Sequence, residues 1–273
     1  MENIKNIFHY LIFKLKDKLD FSQDKKGLKY KLRTSVHGLE KSEPIEGRYL
    51  YKLLRAHDFY TQAKEKNLLT ENDIEWCERV IYGKRSSRKV EHSLENLEEI
   101  DKIIRNRRSI RSYTDEPISE DDFEKLIDVA KWAPSACNRQ PWNFILTKDK
   151  EKIKLLAEER GKWIEKAPSC IIVTIDFDAY GDIEKKYTPY LDAGSVIQTL
   201  LLKAEVMGYG ACWVNFGEIE VDEDARKEIN EAFSLPNGYK IVTIIPIGKY
   251  EDKPNAPGRK DRESMIHIEE LIQ

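Results

Sequence analysis

Pro134-Ser135-Ala136-Cys137-Asn138-Arg139-Gln140-Pro141-Trp142 is a junction, with a helix ending in front of it and a strand starting behind it. Ahead of it, Phe123, Leu126, Ile127 and Ala130 recur at helical spacing. Ser119, with Asp122 three places on, forms a capping-box-like start to that helix. Pro134 cannot continue it. Beyond the break, Ser135 and Ala136 have little side chain to obstruct a flat ligand. Asn138 and Gln140 each offer a donor and an acceptor, as the edge of a polar ring requires. Read alone, the segment fits a structural turn better than a ligand cradle.

Outward from the junction, apolar runs alternate with helical ones. Residues 143–147, 171–175, 211–216 and 241–247 read as strands. Residues 149–159, 191–207 and 222–233 read as helices. The fold class is therefore α+β, a central mixed sheet flanked by helices. The helix containing Val196, Ile197, Leu200, Leu201 and Leu202 is so apolar that it must be covered on most sides. Gly208 and Gly210 follow a helix and precede a strand, the reverse of a dinucleotide fingerprint, so they read as a helix C-cap and tight turn.

Upstream, a helical stretch over 94–108 carries Leu97, Ile100, Ile103 and Ile104 on one face and ends in Arg107-Arg108-Ser109-Ile110-Arg111. Guanidinium forks match phosphate oxygens, so this cluster suits an anion. A solvated helix end, its cations facing the negative pole of the dipole, is the plainer account. Arg259-Lys260, after the Pro/Gly-rich residues 254–258, adds positive charge from the other end of the region.

Arg-Arg-Ser-Ile-Arg, Pro-Ser-Ala-Cys-Asn-Arg-Gln-Pro-Trp, Leu191-Asp192-Ala193-Gly194-Ser195, Gly208-Tyr209-Gly210-Ala211-Cys212-Trp213 and Ile245-Pro246-Ile247-Gly248 stand in the order and rough spacing of the FMN-dependent nitroreductase family, which residues 100–268 resemble. The resemblance implies an intertwined homodimer with the apolar helix at its centre and FMN at the subunit interface. It implies that Arg107, Ser109 and Arg259 hold the FMN phosphate, with Arg108 contributing partly through its backbone. Arg111 matches the cation beside the pyrimidine edge of the flavin, where positive charge favours two-electron reduction. Pro134, Ser135, Ala136, Asn138 and Gln140 match the turn under the ring, and Val214 and Asn215 the segment approaching N5. Relatives often carry smaller residues at this last place, so Asn215 and Phe216 are expected to narrow the cavity.

The implied activity is a ping-pong transfer of hydride from NAD(P)H to FMN and on to a small electron-poor acceptor such as a nitroaromatic, quinone or flavin. The chemistry resides at flavin N5 and needs no catalytic side chain. NAD(P)H is then a transient reductant with no domain of its own. Trp142, Trp163, Tyr187 and Tyr190 are either acceptor-stacking or packing residues. Two other readings stand beside this one: an FMN enzyme of the same fold with a dedicated substrate, for dehalogenation, flavin destruction or dehydrogenation, and a flavin-holding or partner-binding protein.

The chain divides into a mostly helical extension, residues 1–90, and an FMN-binding domain, residues 91–273. Ile4, Ile7, Phe8, Leu11, Ile12, Leu15 and Leu19 make the first twenty residues an amphipathic basic helix, too short and too charged to span a bilayer. Packing against the rest of the protein explains it, with membrane-surface contact the alternative. Lysines interrupt its apolar face, so it does not read as a secretory signal. Residues 47–82 read as helical around a capping Thr70, and residues 83–89 as a linker. With 46 basic and 49 acidic residues and a net charge of −3, the chain offers no global reason to bind nucleic acid. The 4 cysteines, Cys77, Cys137, Cys170 and Cys212, are scattered without metal-ligand spacing, so no metal is expected and a reducing, cytoplasmic setting is the simplest reading.

Overall fold

The computed structural model describes residues 25–41, 49–83, 97–217 and 221–266. The amphipathic segment 1–20 and nearly all of the linker 83–89 lie outside the described residues. Among the described residues the extension contributes three helices: α1 (Lys25–Glu40), α2 (Tyr49–Glu65) and α3 (Glu71–Ile81). Helices α2 and α3 lie within the expected helical stretch 47–82, whereas α1 has no counterpart among the expected helices. Leu28, Leu32, Val36 and Leu39 lie one turn apart along α1, and they bury against Phe59, Ala63, Cys77 and Val80. Thr70 caps α3 with a full capping box, and the Asp73 carboxylate that closes it also takes Arg33 Nη2 at 2.6 Å.

The sheet comprises β1 (Trp142–Thr147), β2 (Ser169–Asp176), β3 (Gly210–Ala211), β4 (Val214–Asn215) and β5 (Tyr239–Gly248). Its order is β1-β2-β5-β3, with β4 also on β5, and these named pairs are antiparallel. A parallel bridge between Ser109 and Ala211 extends it beyond β3. The expected strand 211–216 is two short pieces because Cys212 lies opposite Pro246, as the register Ala211↔Ile247 and Val214↔Ile244 requires. Cys212 N–H donates to the Pro246 carbonyl at 3.2 Å, but proline has no N–H to return.

Helices α5 (Glu120–Ala130) and α7 (Thr188–Val206) cover one face of the sheet. Helices α6 (Lys150–Arg160) and α8 (Glu223–Ala232) cover the other. Strand β2 alternates between the two cores, Ile171, Val173 and Ile175 to one and Cys170 and Ile172 to the other. Helix α7 buries Val196, Ile197, Leu200, Leu201 and Ala204. Gly208, at φ +72°, ends it as expected, with Tyr209 N–H reaching back to the Ala204 carbonyl at 2.9 Å.

The remaining helix, α4 (Leu97–Asn106), turns its apolar stripe outward, leaving Ile100 52% and Ile104 49% exposed. Trp132, beyond α5, is 80% exposed, and Leu191 on α7 is 71% exposed. Among the described residues, no helix is long and apolar enough to cross a membrane.

Candidate flavin site

The arginine segment after α4 is seated by close approach. Ile110 N–H donates to the Ala211 carbonyl at 3.1 Å. A Cβ added to Gly210 would lie 2.7 Å from both Ile110 Cγ2 and Tyr250 Cδ1, so only glycine lets the segment lie against β3. Arg108 Nη1 donates to the Arg107 carbonyl at 2.9 Å, while its Nε is buried with no hydrogen-bond partner. Arg111 extends over the Trp163 ring, its guanidinium carbon 5.7 Å from the centroid, a cation–π geometry.

Arg111, Val214 and Asn215, all expected site residues, line one cavity of about 400 Å³. That volume lies in the usual range for small-molecule sites. Arg160, Trp163, Cys212 and Trp213 complete its lining. Arg160, Cys212 and Trp213 are not among the residues expected at the site. The sole sequence signal for Trp213 is its place in the Gly-rich motif, and Arg160 is simply the last residue of α6. Trp213 Nε1 donates to Asn215 Oδ1 at 2.9 Å, fixing both side chains at the rim.

Burial pushes the Cys212 thiol above its ordinary pKa, while Arg111, a hydrogen bond from Ser109 and Arg107 pull it back down. Ser109 bridges Ala211, the residue before Cys212, so the arginine segment runs beside this buried sulfur. Arg259 does not line the cavity. It is exposed, and its Nη1 donates to its neighbour's carbonyl, Gly258 O, at 3.2 Å.

The 134–140 turn is a separate construction, and none of its residues lines this cavity. Helix α5 ends at Ala130, short of exposed Pro134, and a 3₁₀ turn follows over Ala136–Asn138. Cys137, Asn138 and Gln140 have φ of 53°, 53° and 51°. For Cys137 this left-handed backbone costs about 1–2 kcal/mol, and Asn138 tolerates it better. Local hydrogen bonds offset that cost. Gln140 N–H donates to Ser135 Oγ at 3.0 Å, and Gln140 Nε2 to Asn138 Oδ1 at 2.9 Å. The amides expected to face a ring edge therefore bond to each other in this structure.

A buried carboxylate anchors the start of the turn. Asp192 accepts from Ala136 N–H at 2.9 Å and from the Tyr180 hydroxyl at 2.7 Å. Burial, then the bond to Asp192, pushes the Tyr180 pKa well above the ordinary tyrosine range. Buried Arg139 lies over the Tyr180 ring at 5.2 Å and gives Nη2 to both Glu184 oxygens, at 3.1 and 3.0 Å.

Of the aromatics, Trp142 is core packing and Trp163 lines the cavity. Tyr187 and Tyr190 are exposed, with Tyr190 edge-on to Phe177 at 5.7 Å. Among the described residues no group of three or more His, Cys, Asp or Glu could hold a metal ion.

The model of the nitroreductase family matches residues 104–166 and 156–249. A provisionally named NADH dehydrogenase/NAD(P)H nitroreductase of Archaeoglobus fulgidus is 32% identical over 172 residues, which is 61% of this chain and 94% of that protein. The FMN reductase [NAD(P)H] of Bacillus subtilis is 28% identical over 64% of this chain and 76% of its own. In structure, a nitroreductase of Desulfovibrio desulfuricans, solved in complex with FMN and also provisionally named, superposes with a TM-score of 0.53 at 28% identity. It covers 63% of this chain and 97% of its own. The motifs, the sheet that carries them and the matched residues converge: this chain belongs to the nitroreductase family.

Proposed function

We propose that the protein is an FMN-dependent NAD(P)H oxidoreductase. The observation that carries this reading is the cavity under Arg111, where two arginines and two tryptophans line about 400 Å³ beside a segment seated by Gly210. These residues fit the group. The buried Arg108 Nε lacks a protein partner, and Arg107, Arg108 and Ser109 together provide donors suited to a phosphate. When bound, FMN would supply two-electron redox chemistry between NAD(P)H and a small electron-poor acceptor such as a nitroaromatic, quinone or flavin, in a ping-pong cycle.

The protein's part is binding, orientation and charge. Arg111, held over Trp163, keeps a permanent cation beside the cavity, stabilising negative charge that develops there. Trp163 and Trp213 give the cavity aromatic surface for a flat ring to lie against. Val214 and Asn215 border the reacting face, and Ser135, Ala136, Asn138 and Gln140 support the ring. Arg259 completes the phosphate clamp.

One chain does not unite these halves, and a homodimer does. The outward stripe of α4, with Trp132 and Leu191, supports that arrangement, since large apolar side chains at such exposure favour burial against a second copy. The extension, residues 1–90, and the domain, residues 91–273, form the two parts of each subunit, and the setting is cytoplasmic.

The test is anaerobic mixing of purified yellow protein with NADH or NADPH. Visible flavin absorbance falls within seconds and returns on adding a quinone. Flavin that stays oxidised with both nicotinamides removes the reductase assignment, even with FMN bound.

A further inference from the structure

The 134–140 turn is tied down at both ends, each time by an aspartate that also takes a tyrosine hydroxyl. At its start, Ala136 N–H donates to buried Asp192, which also takes the Tyr180 hydroxyl. At its end, the Pro141 carbonyl accepts the N–H of Asp176 at 2.9 Å. Asp176 is fully buried, and its carboxylate takes the Tyr30 hydroxyl at 2.8 Å and Asp178 N–H at 3.1 Å. Tyr180 lies within the family match, whereas Tyr30 stands on α1, outside the matched residues 104–249. Tyr30 also packs on the core that holds Trp142, Phe177 and Tyr180, and α1 lies directly against the 3₁₀ turn at Ala136–Asn138.

From this arrangement we propose that Tyr30 is a positioning residue for the flavin turn, making helix α1 of the extension a working part of the FMN site. A backbone with three left-handed non-glycine residues keeps its shape only when its surroundings over-determine it. Asp176 supplies part of that constraint through its own N–H. Its side chain in turn is oriented by Tyr30 from the far end of the sequence. The hydroxyl is held at a fully buried carboxylate, the kind of hydrogen bond whose loss is felt. Helix α1 thereby acts on the cofactor without touching it.

The inference rests on the reading of this turn as FMN-binding. Its test uses full-length protein carrying Tyr30→Phe, which keeps the ring and removes the hydroxyl. FMN affinity by equilibrium dialysis falls about three- to tenfold, the effect of one such hydrogen bond. Visible circular dichroism of the bound flavin changes, and the Ala136 and Gln140 amides exchange faster while those of β5 do not. Unchanged FMN affinity overturns the inference. So does faster exchange that extends equally into β5, which makes Tyr30 a residue of general stability. Wild-type protein that binds no FMN sinks the functional reading instead, and the exchange rates then still judge the tether.

Discussion

The 107–111 segment and the 134–140 turn are both short irregular stretches after helices, yet they are held in opposite ways. The turn is constrained by hydrogen bonds: Ser135, Asn138 and Gln140 satisfy one another, and Asp192 and Asp176 hold its two ends. The arginine segment is seated by one parallel bridge and by the absence of a Cβ at Gly210, while Arg108 keeps a buried donor unpaired. One stretch carries shape and the other carries charge. A flavin needs both, a formed surface for its ring and uncommitted cations for its phosphate and pyrimidine edge.

The sharpest way to upset this contrast is Asp192→Ala. It strands the Ala136 N–H and the buried Tyr180 hydroxyl together, at about 1–3 kcal/mol for each orphaned group. At about 2–4 °C per kcal/mol for a domain of this size, the thermal midpoint drops by several degrees and FMN retention goes with it. A wild-type melting curve removes the claim that the turn is pinned. Next comes Gly210→Ala, whose new methyl forces Ile110 and Tyr250 apart. Overpacking of this kind costs about 1–3 kcal/mol. Its signature is weaker FMN binding with the turn amides unchanged in exchange, which separates the two halves experimentally.

Arg111→Ala is a smaller change, about tenfold in the rate of flavin reduction, equivalent to about 1.4 kcal/mol of lost charge stabilisation. Equal rates in rapid mixing exclude a role for that cation. The same variant has a pH signature at Cys212. Burial raises this thiol's pKa and Arg111 is the largest influence lowering it, so removing the guanidinium moves ionisation further up. Alkylation of Cys212 therefore requires higher pH in the variant than in wild type. Cys137, in the turn and partly exposed, serves as the internal comparison for reagent access.

Much of the fold is legible along the chain because it rests on local periodicity. The helical spacing of Phe123, Leu126, Ile127 and Ala130 leads to α5, though Asp122 leaves the expected capping box incomplete. Its backbone N–H donates to Ser119 Oγ at 3.0 Å, while its carboxylate accepts from the Tyr209 hydroxyl at 2.7 Å. Helix α1 escaped because Lys, Gly and Ser dilute an apolar stripe that becomes visible once its partners Phe59 and Cys77 are in place. The break between β3 and β4 escaped because it depends on Pro246 lying opposite Cys212, a register no stretch of sequence states.

Residue order alone therefore established which segments bury a face, where the charges cluster and which family pattern they spell, since each follows from spacing within a few turns or strand repeats. Only the folded chain could decide that Arg111 meets Trp163 and shares a cavity with Asn215, that none of the turn lines that cavity, and that Tyr30 reaches Asp176. Those contacts join residues far apart along the backbone. Their partners are selected by sheet register and helix packing, and neither leaves a local trace at the residue concerned.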